Sequence, residues 1–202
     1  MTIIAFISQK GGVGKSTLAR ATAVEASKHK FKVLLADCDP QQATSYHWYQ
    51  LRHKSKFQSQ VFSTVQQALR EANKYDLTII DGPARTSHET LEIAQVADLV
   101  IQPAGASRDD LEPAIREFHA LVKAGVNKKK LLLVLTRLST DKEAQAIKDY
   151  LADTGYSYSE AYLREKTSYK QAHNEGKSIT EVIYKSLRQQ AQQLISDLLN
   201  YL

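Results

Sequence analysis

Glycine, lysine and hydroxyl side chains crowd into one short stretch near the start of this chain: Lys10-Gly11-Gly12-Val13-Gly14-Lys15-Ser16-Thr17. Each type has a task in holding phosphate. Glycines let the backbone curl until successive N–H groups point inward at an anion. Lys15 supplies a cation for the β- and γ-phosphates of a nucleotide, the Ser16 hydroxyl a ligand for Mg²⁺, and Thr17 a hydrogen bond toward the α-phosphate. The setting separates such a loop from an ordinary glycine-rich turn. Here an apolar, β-branched segment, Thr2–Ser8, leads in, and a run of good helix formers starts at Lys15. The helix adds its positive dipole end to the same anion site. The chemistry expected is binding and cleavage of Mg²⁺·ATP.

Phosphoryl chemistry also needs carboxylates, and two further apolar segments end in them. Leu34-Leu35-Ala36-Asp37-Cys38-Asp39-Pro40-Gln41 carries two acids, and Leu77-Thr78-Ile79-Ile80-Asp81-Gly82-Pro83 ends its apolar run in one. At the carboxyl ends of parallel strands they face the crevice where open α/β sheets bind ligands. An ionised carboxylate accepts hydrogen bonds and donates none, which suits orienting water or holding a hydrated cation. Asp81 is expected on Mg²⁺, through water and through Ser16. The competing use of Asp37 and Asp39 is to cap the helix that follows them.

These side chains converge only if their segments lie side by side. Short apolar runs at Thr2–Ser8, Lys32–Asp37, Leu77–Asp81, Asp98–Pro103 and Leu131–Thr136 read as buried strands. Between them Lys15–Lys30, Val65–Lys74, Thr86–Val96, Asp109–Ala124 and Asp141–Asp153 read as helices, and Ile179–Leu202 as one long helix. Near-continuous apolar strands separated by helices imply a parallel sheet covered on both faces. The expectation is an α/β fold: one doubly wound, mostly parallel sheet flanked by helices, in a single domain over 1–202.

Composition bounds the remainder. The chain is 43% hydrophobic and 24% charged, as in ordinary soluble domains. No 18-residue apolar run suggests a transmembrane helix. The single cysteine, Cys38, has no partner for an intramolecular disulfide, and a cytoplasmic location is the simplest expectation. Net charge is +5 and uneven: residues 1–60 carry nine Lys/Arg against three Asp/Glu, whereas residues 61–120 carry five against ten. A basic chain suits a polyanion; a solvated basic surface is the plainer alternative.

Lys10, placed before the first glycine pair, completes Lys-Gly-Gly-Val-Gly-Lys-Ser-Thr, which resembles the deviant Walker A motif of the ParA/MinD superfamily. Asp37-Cys38-Asp39-Pro40-Gln41 is similar to that family's Asp-x-Asp-Pro-Gln, and Leu77–Asp81 looks like its Walker B strand. The resemblance is closest to the short ParA-type partition ATPases, with no N-terminal helix-turn-helix domain. It implies that Lys10 crosses a dimer interface to the partner's ATP, that Asp39 orients the attacking water, and that Asp37 supports Mg²⁺ and the phosphate loop. It also puts the end of Leu131–Arg137 beside the adenine, making Thr136 and Arg137 base-pocket candidates. ATP rather than GTP fits the lack of an Asn-Lys-x-Asp motif. The family's Asp-Thr-Pro-Pro is replaced here by Asp81-Gly82-Pro83-Ala84-Arg85. Gly82 retains an N–H for sensing the γ-phosphate, and Arg85 is either an arginine finger or a surface residue.

Further implications concern partners. A homodimer that forms on ATP binding, nonspecific DNA, a nucleoid-associated location and a centromere-binding adaptor that stimulates slow intrinsic hydrolysis all follow from the resemblance. Arg164, Lys166, Lys170, Lys177, Lys185 and Arg188 are its DNA candidates. A positioning ATPase for another cargo (a protein complex, a transferred DNA strand, or a MinD-like membrane role) is the alternative. The membrane version is disfavoured because glutamines occupy the polar face of the last helix. A small-molecule kinase needs an arginine-rich lid that is not evident, and an iron protein needs two cluster cysteines.

Overall fold

The computed structural model describes residues 1–83 and 87–202. Arg85 therefore lies outside the described residues. Strands β1 (Thr2–Phe6), β2 (Val33–Asp37), β3 (Gln58–Val61), β4 (Leu77–Asp81), β5 (Leu99–Ala104), β6 (Leu131–Leu138) and β7 (Ser157–Tyr158) lie in the order β3-β2-β4-β1-β5-β6-β7. A further short strand, β8 (Leu163–Arg164), pairs with β6. Every pairing among the described residues is parallel.

The strands are apolar because the sheet is covered on both sides. All five positions of β2 and of β4 are buried. Successive side chains alternate between two cores, as the period of two demands. From β1, Ile3 and Ala5 enter one core with helices α3 (Val65–Ala72), α4 (Ser87–Val96), α5 (Arg108–Lys123) and α6 (Asp141–Ala152). Ile4 and Phe6 enter the other with α1 (Lys15–Ala26), α2 (Thr44–Gln50), α7 (Thr167–Asn174) and α8 (Lys185–Leu199). The doubly wound arrangement read from the sequence is the one observed.

Two of the differences from expectation have a plain physical reason. Residues 179–202 do not form one helix. A short 3-10 turn, Ile179–Glu181, is closed by a capping box in which Ser178 and Glu181 satisfy each other's backbone N–H groups. Val182 then turns extended, with φ −63° and ψ 151°, and α8 begins only at Lys185. The edge strand β3, Gln-Ser-Gln-Val, was not anticipated, because only one of its faces is buried and its sequence lacks an apolar run.

The topology sets the site. β1 sits between β4 and β5, so the chain crosses from one side of β1 to the other between those strands. The carboxyl ends around such a switch point form the ligand crevice of open α/β sheets. The loops after β1, β2, β4, β5 and β6 all emerge there.

Candidate nucleotide and metal site

The loop after β1 enters α1 through Gly14, whose φ of 100° is left-handed. A side chain there is strained whatever space surrounds it. Beneath it lies Thr136 at the end of β6, fully buried, donating its hydroxyl hydrogen to the Val13 carbonyl at 2.7 Å, with the Ala104 carbonyl at 3.3 Å. Thr136 is thus a prop under the phosphate loop, its hydroxyl spent inside the fold. Residues 10–12 and 14–17, Arg20, Asp39, Gln42 and Thr44 line a cleft of about 260 Å³. Val13 is the loop member turned into the interior, 2% exposed.

The acids surround this cleft in distinct ways. Asp81, 2% exposed at the end of β4, has Lys15 Nζ 3.5 Å from Oδ1 and accepts from Ser45 Oγ at 2.7 Å on Oδ2. Asp37 is fully buried at the end of β2. Its oxygens accept the backbone N–H groups of Asp39 at 3.1 Å, Ser45 at 2.8 Å and Tyr46 at 3.0 Å. These bonds order the loop from β2 into α2. Burial and the neighbouring Asp81 hold the Asp37 carboxyl above its ordinary range, against those three N–H groups. Asp39 faces the cleft, accepting from Gln42 N and Nε2 at 3.3 and 3.2 Å. Ser16 Oγ and Thr44 Oγ1 meet at 3.2 Å. Thr44, Ser45 and Arg20 were missed from sequence, since nothing in a run of helical residues marks which one turns toward the acids.

The donor set fits a magnesium nucleotide. Ser16, Thr44 and Asp81 offer hard oxygen ligands at the loop's helix end, the kind Mg²⁺ takes. No group of three or more His, Cys, Asp or Glu suited to a metal exists among the described residues. A cation here would draw the rest of its shell from water and phosphate oxygens.

Lys10 turns to α5 of its own chain. It forms an ion pair with Asp110, and its Nζ donates to the Asp109 carbonyl at 3.2 Å. Asp110 also accepts from Ser107 Oγ at 2.9 Å and sits so close to Gly105 that a Cβ there would lie 2.3 Å from its Oδ2. Burial works to raise the Asp110 carboxyl, but the bonds from Lys10 and Ser107 outweigh it and hold it below the ordinary carboxylate range. Gly82 corrects an expectation: its N–H donates to the Phe6 carbonyl at 3.0 Å and is spent within the fold.

Beside the loop lies a second cleft of about 340 Å³, lined by Gly12, Gly14, Thr17, Thr136, Arg137, residues 163–166, Tyr169, Lys170 and His173. Arg137 reaches it from a bulge between β6 and β8, with an unusual φ of 61°. His173 is held neutral, its pKa pushed down to about 4 by burial and by the Arg20 charge. A larger cleft, about 490 Å³, lies at the opposite end of the sheet, by the amino ends of β1 and β4, among Thr2, Phe31 and Leu199. It has no phosphate-binding loop, so chemistry and not volume selects the site. The basic candidates fall in two places. Arg164, Lys166 and Lys170 flank the second cleft, whereas Lys177 lines another among Ser168, Glu175 and Glu181. Lys170 pairs with Glu165, Lys177 with Glu175 and Arg164 with Asp141, and Arg188 donates to the Val182 carbonyl at 3.2 Å. Lys185 is exposed at the start of α8.

Comparison with known proteins decides the family. The model of the CobQ/CobB/MinD/ParA nucleotide binding domain matches residues 4–179. This chain belongs to that family. Among relatives of this ParA/MinD domain, the chromosome-partitioning ATPase Soj of Thermus thermophilus is 34% identical over 164 residues, covering 64% of this chain and 66% of Soj. A 54-residue stretch, 56% identical, covers 27% of this chain but 21% of an uncharacterized Borreliella burgdorferi protein. In fold, the chain matches the cell division ATPase MinD of Pyrococcus furiosus with TM-score 0.80 at 17% identity, covering 100% of this chain and 99% of that one. It matches a putative plasmid partition protein of Borrelia burgdorferi bound to AMPPNP with TM-score 0.76 at 19% identity, over 100% and 99%.

Proposed function

We propose that this chain is a ParA-type ATPase that dimerises on Mg²⁺·ATP, binds DNA without reading sequence and drives DNA partition through hydrolysis. The observation that carries this reading is the pairing of Lys15 with Asp81 at the switch point, with Ser16 and Asp39 lining the cleft that Lys15 enters. In this reading Gly11–Thr17 cradle the phosphates, Lys15 reaches the β- and γ-phosphates, and Asp39 orients the attacking water. Ser16 and Asp81 hold Mg²⁺, with Asp37 setting the loop that frames it. Bound there, Mg²⁺ supplies charge neutralisation for the transferred phosphoryl group. Arg137 flanks the base, and Lys10 serves the partner's phosphate once it leaves Asp110. The names of Soj and of the Borrelia partition protein support DNA as cargo, and AMPPNP in the latter supports an adenine nucleotide. A centromere-binding adaptor is the proposed stimulator, and the nucleoid in the cytoplasm the place of action. No helix among the described residues is long and apolar enough to cross a membrane. The apolar face of α8, Ala191, Leu194, Ile195 and Leu198, is buried in the fold, which weakens a membrane role for it.

The test is sedimentation with and without ATP and nonspecific DNA, paired with phosphate release. ATP should produce a dimer that co-sediments with DNA in a salt-sensitive manner. Lys15→Ala should abolish turnover; parental hydrolysis in that variant would refute the assignment.

A further inference from the structure

Arg20 brings a second cation to the acid cluster. It lies on α1 behind Ser16, and its Nε donates to Ser45 Oγ at 3.2 Å. Ser45 in turn donates to Asp81 at 2.7 Å, and its backbone N–H serves Asp37 at 2.8 Å. The guanidinium is fixed from its other side by Trp48, whose ring centroid is 5.4 Å from Cζ. Burial lowers the Arg20 pKa, while Asp81 and Asp37 oppose that fall. Arg20 also lines the phosphate-loop cleft with Ser16 and Thr44.

Two cations therefore face the buried acid pair, Lys15 by its ion pair with Asp81 and Arg20 through Ser45, while Asp39 stands apart on the cleft wall, half-buried and bonded to Gln42. Two opposed pairs cancel, so a bare divalent cation reaching Asp81 finds little net attraction. Phosphate changes the balance. It brings negative charge and draws Lys15 onto itself.

We propose that Arg20 is a positioning residue that neutralises the Asp37–Asp81 pair, so that Mg²⁺ enters this site only together with nucleotide. The inference rests on the reading above, in which Ser16 and Asp81 hold the metal. It makes metal occupancy a report of nucleotide occupancy.

Mn²⁺ is the probe, with free ion followed by electron paramagnetic resonance. The wild-type protein should bind Mn²⁺ at least about tenfold more tightly with ADP than without, after subtracting solution Mn²⁺·ADP measured beside Lys15→Ala. Arg20→Gln leaves the pair with one uncompensated charge and should gain nucleotide-independent Mn²⁺ binding by at least about tenfold. Arg20→Lys keeps the charge and should exclude Mn²⁺ as the parent does. A purely structural arginine predicts no gain in the Gln variant. Wild-type protein that holds one Mn²⁺ equally well with and without ADP overturns the proposal, even where Arg20→Gln does not fold. So does a folded Gln variant, checked by circular dichroism, whose Mn²⁺ affinity equals the parent's. Failure of wild type to bind any nucleotide is a different result, since it removes the functional reading itself.

Discussion

Thr136 and His173 both flank the second cleft, and each makes a prediction at the level of one side chain. Thr136 donates inward to the Val13 carbonyl. Valine keeps its shape but removes the hydroxyl, leaving a buried acceptor without its donor, which costs roughly 1–3 kcal/mol. Thr136→Val should therefore lower thermal stability and weaken ATP binding severalfold in isothermal calorimetry, with no change in base preference. A large change in ATP-over-GTP preference would instead give the hydroxyl to the base. His173 is partly buried and its pKa falls from 6.5 to about 4. The unfolded chain takes up the proton near 6.5, before the folded one does. Stability is therefore complete above about pH 6.5 and drains away as pH falls toward 4. The full loss is on the order of 3 kcal/mol. Unfolding in urea at pH 7 and pH 4.5 should show a steep loss in the parent and a smaller one in His173→Gln. Equal losses would place the acid sensitivity elsewhere.

Among elements, the segment between α7 and α8 shows what sequence carries and what it does not. Arg52, from the loop after α2, makes two hydrogen bonds to the Glu181 carboxylate at 2.8 and 2.9 Å and one to the Gly176 carbonyl at 2.7 Å. Trp48 donates to the Lys177 carbonyl at 3.2 Å, so α2 is tied to this segment at several points. Glu181→Gln should cost about 1–3 kcal/mol, because the bidentate bonds are charge-assisted and the acid is partly buried. Burial works to raise the Glu181 carboxyl, but Arg52 and the Ser178 N–H outweigh it and hold it below its ordinary value. Its contribution is thus present at neutral pH and lost on acidification through the folded pKa, so parent and variant should converge in denaturant midpoint at acid pH. A constant gap would mean that the charge plays no part. The strands β1, β2, β4, β5 and β6 were legible because burial on both faces demands apolar runs, and the phosphate loop because glycine spacing has one economical use. The break before α8 was not legible, since it depends on Arg52 arriving from 129 residues away to engage Glu181. Asp37 was legible only as one of two uses, and its bonds to the Ser45 and Tyr46 N–H groups at the start of α2 are the helix-capping one. Thr136 was read as a base contact because its place at the strand end is visible in sequence and the direction of its hydroxyl is not.

For the whole molecule, the proposed dimer requires Lys10 to exchange one partner for another. Within one chain Lys10 pairs with Asp110, the lysine side chain 44% exposed and the aspartate 13%. An ion pair this open to water is worth at most about 1 kcal/mol. A charge-assisted bond from lysine to the phosphate of a second chain, shut away from water, is worth about 1.5–3 kcal/mol. The exchange runs toward the dimer only when that phosphate is present, which makes assembly depend on ATP. Removing the competing charge should then favour assembly: Asp110→Asn should lower the ATP concentration at half-dimerisation by up to about fivefold, the equivalent of the pair it loses. Lys10→Ala should bind ATP within about twofold of the parent yet remain monomeric, because the Lys10 ammonium is held by α5 even though the residue lines the cleft. Sedimentation velocity across an ATP titration measures both. Asp110 is held below the ordinary carboxylate range, so its grip on Lys10 persists at mildly acidic pH, and the advantage of the Asn variant should persist there too. If Lys10→Ala dimerises like the parent and Asp110→Asn leaves the midpoint unmoved, the lysine belongs to its own chain in both states, and the two subunits must meet by another surface.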